Sequence, residues 1–286
     1  MLPPRLLTTP STVLSFGCND PTSAIGLGGD ALTLSALGVY PLSVSTGLLV
    51  QDTSRTESFF ATDGDWVADQ ARALLEDIPV SCFKLGQFAS TDNVAEVADV
   101  LADYPDIPVV YAPDLTLHGS DAETEEDMLG SICELILPLC QIVICGPEDA
   151  ARLAPDDDSV DEGEAEPEDA PPAYPAGHAD SARLLLAYGA GHVLLTGAHA
   201  QSPQIVNTLF GQQGMLRTDS WERLPGSHLG GNDLLAAALA AFIAQGSSLE
   251  EAVGLAQRYA WHAQAQGWRL GMGRIVPNHF CDWKSA

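Results

Sequence analysis

Short apolar runs alternate along this chain with amphipathic segments of about ten residues, and that alternation leaves few folds open. Residues 12–16, 42–49, 82–85, 108–111, 142–145 and 192–196 are apolar stretches of strand length. Between and beyond them, residues 29–37, 65–75, 94–102, 125–137, 179–188, 234–244 and 249–264 carry apolar positions at helical spacing. Strands bounded by helices of this length pair in parallel through crossovers, and such sheets are covered by helices on both faces. The spacing therefore predicts an α/β fold with a mainly parallel sheet, plus a hairpin over residues 205–210 and 214–217. A single domain spanning 1–286 fits the length. Residues 155–175 interrupt the pattern. They are acidic, rich in Pro and nearly free of apolar side chains, so they cannot bury enough surface to offset their ordering entropy, and a disordered surface insertion is expected.

Charge narrows the partners. The chain carries 39 acidic and 12 basic side chains, a net charge of −27. Only two lysines occur, Lys84 and Lys284. A surface this negative repels nucleic-acid backbones and anionic lipid, so neither partner is expected. A phosphorylated ligand would have to be held by backbone N–H groups, a few arginines or a metal ion. No apolar run is long enough to span a bilayer, and residues 1–16 lack a secretory signal pattern. The six cysteines form no CxxC pair and read as reduced, buried thiols, which together predicts a cytoplasmic protein.

Three constellations could carry chemistry. The segment 20–30, DPTSAIGLGGD, is a Gly-rich turn between strand and helix that lets backbone approach a ligand; its bland reading is a tight turn with Asp30 as a helix-start residue. The segment 226–233, GSHLGGND, leads into an alanine-rich helix and leaves N–H groups free to converge on an anion, with an Asp in the first turn able to take a hydroxyl proton. Its bland reading makes Asn232 or Asp233 an N-cap. Gln51, after the apolar 48–50, carries an amide that can read the edge of a heteroaromatic ring, or simply ends a strand. Walker-type, GxSxG and HExxH motifs are all missing, which argues against P-loop kinases, α/β-hydrolases and zinc hydrolases.

Taken together, these residues resemble the hydroxymethylpyrimidine/phosphomethylpyrimidine kinases of thiamin synthesis, in the ribokinase-like family. The likeness runs through Asp20-Pro21, Leu37-Gly38-Val39-Tyr40, Val50-Gln51-Asp52-Thr53 and Phe83-Lys84-Leu85-Gly86. It continues through Pro147-Glu148-Asp149-Ala150, residues 189–199, the Gly-rich turn and Gly271-Met272-Gly273. The resemblance implies a three-layer α/β/α sandwich, a homodimer, and transfer of the γ-phosphoryl of ATP, with Mg²⁺, to a hydroxymethyl-aminopyrimidine or its phosphate. It implies pyrimidine contacts from Gln51, Gly17, Leu49, Ile25 and Gln87, nucleotide contacts from Thr196, Gly197 and His199, and a metal ligand in Glu148. Four departures accompany it. Ile25 stands where the family has a small residue, Cys145 replaces the Asn of an Asn-x-x-Glu element, and Thr196 replaces a lysine. In the anion-hole turn, one register puts Asn232 at the base position; the other makes Asp233 the base and Gly230, Gly231 and Asn232 the hole, with Asn232 taking a glycine's positive φ. A catalytically impaired pyrimidine-binding relative and a pyridoxal kinase-type activity are the alternative readings.

Overall fold

Strand alternation sends successive side chains to opposite faces of a sheet, and here both faces are apolar. In β1 (Thr12–Asn19), Leu14 and Phe16 join one core and Val13 the other. In β6 (Ile142–Cys145), Val143 and Cys145 join the first core while Ile142 and Ile144 join the second. A computed structural model of the protein describes residues 9–115, 122–153, 178–197 and 202–284. The predicted insertion at 155–175 and the candidate His199 lie outside the described residues.

Nine strands form one sheet in the order β3-β2-β1-β4-β5-β6-β7-β8-β9. The segment from β2 (Tyr40–Gln51) through β1, β4 (Cys82–Leu85), β5 (Val109–Tyr111) and β6 to β7 (His192–Leu195) is parallel. The antiparallel strands β3 (Thr56–Ala61) and the hairpin β8 (Gln204–Gly211) and β9 (Gly214–Glu222) complete its two edges. On one face α1 (Gly26–Ala36), α7 (Gly231–Ala244) and α8 (Leu249–Ala265) enclose a core rich in alanine. Residues from α2 (Gly64–Asp77), α3 (Thr91–Ala102), α4 (Ala122–Ser131), α5 (Pro147–Leu153) and α6 (His178–Ala187) pack against the other. The architecture is the expected three-layer α/β/α sandwich. All six cysteines are buried and free. No helix among the described residues is long and apolar enough to cross a membrane.

Two elements escape the periodicity. β3 lies at the edge, where Glu57, Ser58, Phe59 and Phe60 are all exposed and no burial alternation marks a strand. The seven-residue α5 is too short for a helical period to show.

The same alternation that builds the core places one cation inside it. Phe83 and Leu85 face the first core and Cys82 the second, so Lys84 also faces α1 and α7. Its side chain has 0% exposure and forms ion pairs with Asp30 of α1 (3.0 Å) and Asp233 of α7. Burial alone would lower the pKa of Lys84, but the two carboxylates outweigh it and the net shift is upward. Asp30 moves the other way: burial disfavours its charged form more than Lys84 favours it, raising its pKa to about 7. Asp30 is therefore not a helix-start residue, because α1 begins at Gly26 and Asp30 lies in its second turn, facing inward.

Removing one partner of a buried ion pair leaves uncompensated charge, so Lys84→Met is expected to cost about 3–5 kcal/mol in urea unfolding. Adding Asp30→Asn to Lys84→Met should recover part of that loss. No recovery in the double variant would show that Asp30 and Lys84 are not energetically coupled.

Candidate active site

The first turn of the fold is organised by Asp20. Its carboxylate accepts hydrogen bonds from the backbone N–H of Thr22 (2.9 Å), the Thr22 hydroxyl (2.5 Å) and the backbone N–H of Ile25 (3.2 Å). This holds Ser23 at φ 55° and Gly26 at φ 58°. A Cβ at Gly26 would lie 2.3 Å from the Cys18 carbonyl oxygen, so only glycine fits the bend. The bend aims the Gly26 N–H at Asp233 Oδ2, 2.6 Å away.

The second turn enters α7 through Gly230, whose φ of 75° is the left-handed cap before the helix. A Cβ there would meet Ile25 Cγ2 at 2.7 Å and the Ala24 carbonyl at 2.9 Å, so the two Gly-rich turns pack directly together. Asn232 lies within α7 and takes no positive φ, which corrects the expectation that it replaces a glycine for that reason. Its side chain turns instead toward β7, where Asn232 Oδ1 accepts a hydrogen bond from Thr196 Oγ1 (2.6 Å). Asp233 turns the opposite way, toward Lys84 and Gly26, and keeps 19% of its side chain exposed. The two side chains that the sequence left as competing bases thus occupy different surroundings.

These turns border two adjoining cavities. The larger, about 540 Å³, is lined by Ile25, Gln51, Asp114, Asp149, His228, Gly230, Asn232, Asp233 and Arg274, among others. Gln51 Oε1 accepts a hydrogen bond from Thr56 Oγ1 (2.5 Å), which leaves the buried Nε2 without a partner. The smaller, about 160 Å³ and mostly apolar, lies on the far side of Asn232 and includes Thr196, Gly197, Gly231, Trp221 and Trp261. The two indoles stack at 6.3 Å between centroids. Its polar groups are well tied. Gln257 Oε1 accepts from Asn207 Nδ2 (2.8 Å) and Trp221 Nε1 (3.0 Å), Gln257 Nε2 donates to Asp219 (2.8 Å), and the Gly197 N–H donates to Asn207 (2.9 Å).

The remaining expected residues are placed elsewhere. Gly17, Leu49 and Gln87 line neither cavity. Leu49 packs with Cys18 and Ala89, and the Gln87 carbonyl accepts from Thr46 Oγ1 (2.7 Å). Gly17 faces the backbone of Gly86 and Gln87 in the adjoining strand region. Glu148 is exposed and outside the lining, while its neighbour Asp149 is inside it. Burial, reinforced by Asp114 and Glu148 against the pull of Arg152, raises the Asp149 pKa to about 6. Asp114, Asp149 and Arg274 carried no functional role on the sequence alone. Asp114, in the loop after β5, and Arg274, in the loop after α8, lie outside every strand and helix signal and reach the cavity through loop paths.

A chemical division follows from this layout. The polar cavity collects carboxylates, one arginine and the N–H groups opening α7, an arrangement suited to an anion handled beside an acid–base group. Among the described residues no group of three His, Cys, Asp or Glu could hold a metal unaided. One or two carboxylates with phosphate and water ligands is, however, the usual Mg²⁺ environment, and Asp114 and Asp149 fit that donor set.

The chain matches a family model described as phosphomethylpyrimidine kinase over residues 20–278. It is 29% identical to the hydroxymethylpyrimidine/phosphomethylpyrimidine kinase of Escherichia coli K12, covering 94% of this chain and 97% of that protein. It is 30% identical to the Geobacter sulfurreducens thiamine biosynthesis bifunctional protein ThiED, covering 94% of this chain. The chain spans about half of that bifunctional protein (52%). In structure it is similar to Bacillus subtilis pyridoxal kinase in an ADP complex, with a TM-score of 0.82, 18% identity, and 96% and 98% of the two chains covered. It is also similar to phosphomethylpyrimidine kinase from Clostridium difficile 630, with a TM-score of 0.67, 20% identity, and 87% and 98% covered.

Asp149 supplies a pH prediction. Its folded pKa of about 6 lies above the ordinary carboxylate value of 3.8, so the native state binds the proton more tightly and stability falls as pH rises from about 4 to 6. Without bound metal, Asp149→Asn should raise Tm at pH 7.5 by about 2–4 °C, with little change at pH 4. Equal shifts at both pH values would remove Asp149 as the source.

Proposed function

Because the chain belongs to the phosphomethylpyrimidine kinase family, we propose that it transfers the γ-phosphoryl of ATP to a 4-amino-5-hydroxymethylpyrimidine or its monophosphate in thiamin synthesis. The observation that carries this reading is the position of Asp233. Its carboxylate opens α7 beside the free N–H groups of the Gly-rich turn and borders the cavity that contains Gln51. In that role Asp233 accepts the proton of the acceptor hydroxyl as its oxygen bonds to the γ-phosphorus and the bond to ADP breaks. Gly230, Gly231 and Asn232 frame the anion site, and the helix N-terminus favours the charge spread over the transferring oxygens. Gln51 Nε2, without a protein acceptor, suits a ring nitrogen of the pyrimidine, and Ile25 closes that side of the cavity. Gly17, Leu49 and Gln87 then support the pocket wall from behind.

ATP fits the paired cavities, with its base in the apolar one beside Trp221 and Trp261 and its phosphates passing Thr196 and Gly197 toward α7. Thr196 lacks the charge of a lysine, and its hydroxyl orients Asn232. His199 follows this strand end and is retained as a nucleotide contact from the family pattern alone. Mg²⁺, when bound, would neutralise the β- and γ-phosphates. Asp149 and Asp114 are the residues to hold it, with the exposed Glu148 able to bind through water.

Two finer features complete the reading. The lack of any disulfide suits a reducing cytoplasm. A homodimer is expected through the β3 edge of the sheet, where Phe60 (70% exposed) of β3 and Leu48 and Val50 of the adjoining β2 are exposed. A second copy of the chain would cover that apolar edge.

Turnover is the direct test: purified protein with MgATP and the hydroxymethylpyrimidine should form ADP, and Asp233→Asn should lower kcat at least ~10²-fold. ADP no higher than without acceptor would refute the reading, and an unchanged Asp233→Asn would remove Asp233 as base. For assembly, sedimentation should give a dimer that Phe60→Glu converts to a monomer; a wild-type monomer would remove the dimer.

A further inference from the structure

Arg274 is, among the described residues, the only lysine or arginine lining the larger cavity, in a chain with just 12 basic side chains. Its backbone is fixed from two directions. The Arg274 N–H donates to the Thr53 carbonyl (2.8 Å), and its neighbour Ile275 exchanges hydrogen bonds with Ser227 (2.8 Å) and Leu229 (2.9 Å) in the turn leading to α7. At Gly273 a Cβ would meet the Thr53 carbonyl oxygen at 2.3 Å, so this segment is pressed against the loop after β2. Held this way, the guanidinium enters no ion pair among the described residues, although Asp114, Asp149 and Asp233 line the same cavity. Its Nε is buried with no hydrogen-bond partner. A buried, unpaired N–H on a permanent cation is costly unless a ligand supplies the acceptor, and the planar guanidinium fork matches a phosphate.

The two possible acceptors make different demands on this cavity. A hydroxymethyl group must lose a proton, which calls for a base. A phosphomonoester oxygen is already largely ionised near neutral pH, since its second pKa is about 6. Transfer to it forms a bond from that oxygen to the γ-phosphorus and breaks the bond to ADP, and no proton moves. The difficulty is instead electrostatic, because an acceptor carrying about −1.5 to −2 charge enters a space lined by three aspartates. We propose that Arg274 binds the phosphate of a phosphomonoester acceptor and thereby selects the pyrimidine monophosphate over the free alcohol. Asp233 serves the alcohol and Arg274 the phosphate. This assignment rests on the kinase reading above.

The test measures KM and kcat for both acceptors, 4-amino-5-hydroxymethyl-2-methylpyrimidine and its monophosphate, at saturating MgATP. In Arg274→Gln, KM for the monophosphate should rise about 10- to 100-fold more than KM for the alcohol, the range expected for one charge-assisted contact. Arg274→Lys should recover part of the difference by keeping the charge. Asp233→Asn should depress kcat more with the alcohol than with the monophosphate. Equal KM changes for the two acceptors in Arg274→Gln, or none for the monophosphate, would overturn the assignment. If the wild type forms ADP with neither acceptor, the kinase reading fails, and calorimetry then decides Arg274 separately. Tighter binding of the monophosphate than the alcohol, abolished in Arg274→Gln, supports the assignment, and equal affinities refute it.

Discussion

Lys84 sits in the middle of the sheet with no exposure, and its ammonium joins carboxylates from two helices that begin 205 residues apart (Gly26 and Gly231). An isolated charge at that depth would carry a desolvation cost of several kcal/mol, so α1 and α7 must approach the end of β4 closely enough to offset it. The ion pairs therefore act as a register pin between the α1–α7 face and the central strand. They also determine which way Asp233 points. Its carboxylate is engaged from below by Lys84 and from the side by the Gly26 N–H, leaving a fifth of the side chain open to the cavity.

That arrangement changes the meaning of the overall charge. A net charge of −27 argues against extended anionic partners, yet a phosphoryl group meets only its immediate surroundings. The polar cavity is bordered by the opening N–H groups of α7, a glycine turn at φ 75°, and Arg274. Lys84 adds a fixed positive charge behind Asp233. The missing strand-end lysine at Thr196 is not replaced in kind. The hydroxyl there orients Asn232 instead, and cationic character is supplied by side chains arriving from β4 and from the loop after α8.

Much of the fold was legible because its signal is local. The apolar runs at Cys82–Leu85 and Ile142–Cys145 coincide with β4 and β6, since a strand covered on both faces must be apolar at every position apart from one compensated charge. Within β4 the same alternation puts Lys84 on the face opposite Phe83 and Leu85. What it could not reveal was that Asp30 and Asp233 wait on that face, because their approach depends on how two helices lie across the sheet. Asp30 looked like a cap for the same reason: a helix start is a local pattern, whereas an inward-facing carboxylate in the second turn is recognised only by its distant partner. The edge strand β3 was missed because exposure on both sides removes the alternation that marks strands.

The sequence by itself determined the α/β layering, the two Gly-rich turns and the family to which their residues belong, since each is written in contiguous segments of a few to a dozen residues. Only the tertiary structure decided which side chains share the cavity. It separated Asn232 from Asp233, exchanged Glu148 for Asp149 at the lining, left Gly17, Leu49 and Gln87 outside both cavity linings, and brought Arg274 to the larger one. The physical reason is that one residue along a helix rotates a side chain by about 100°, and a loop has no period at all. A motif therefore fixes the neighbourhood of a reactive group, and the packing of distant elements fixes the direction in which it points.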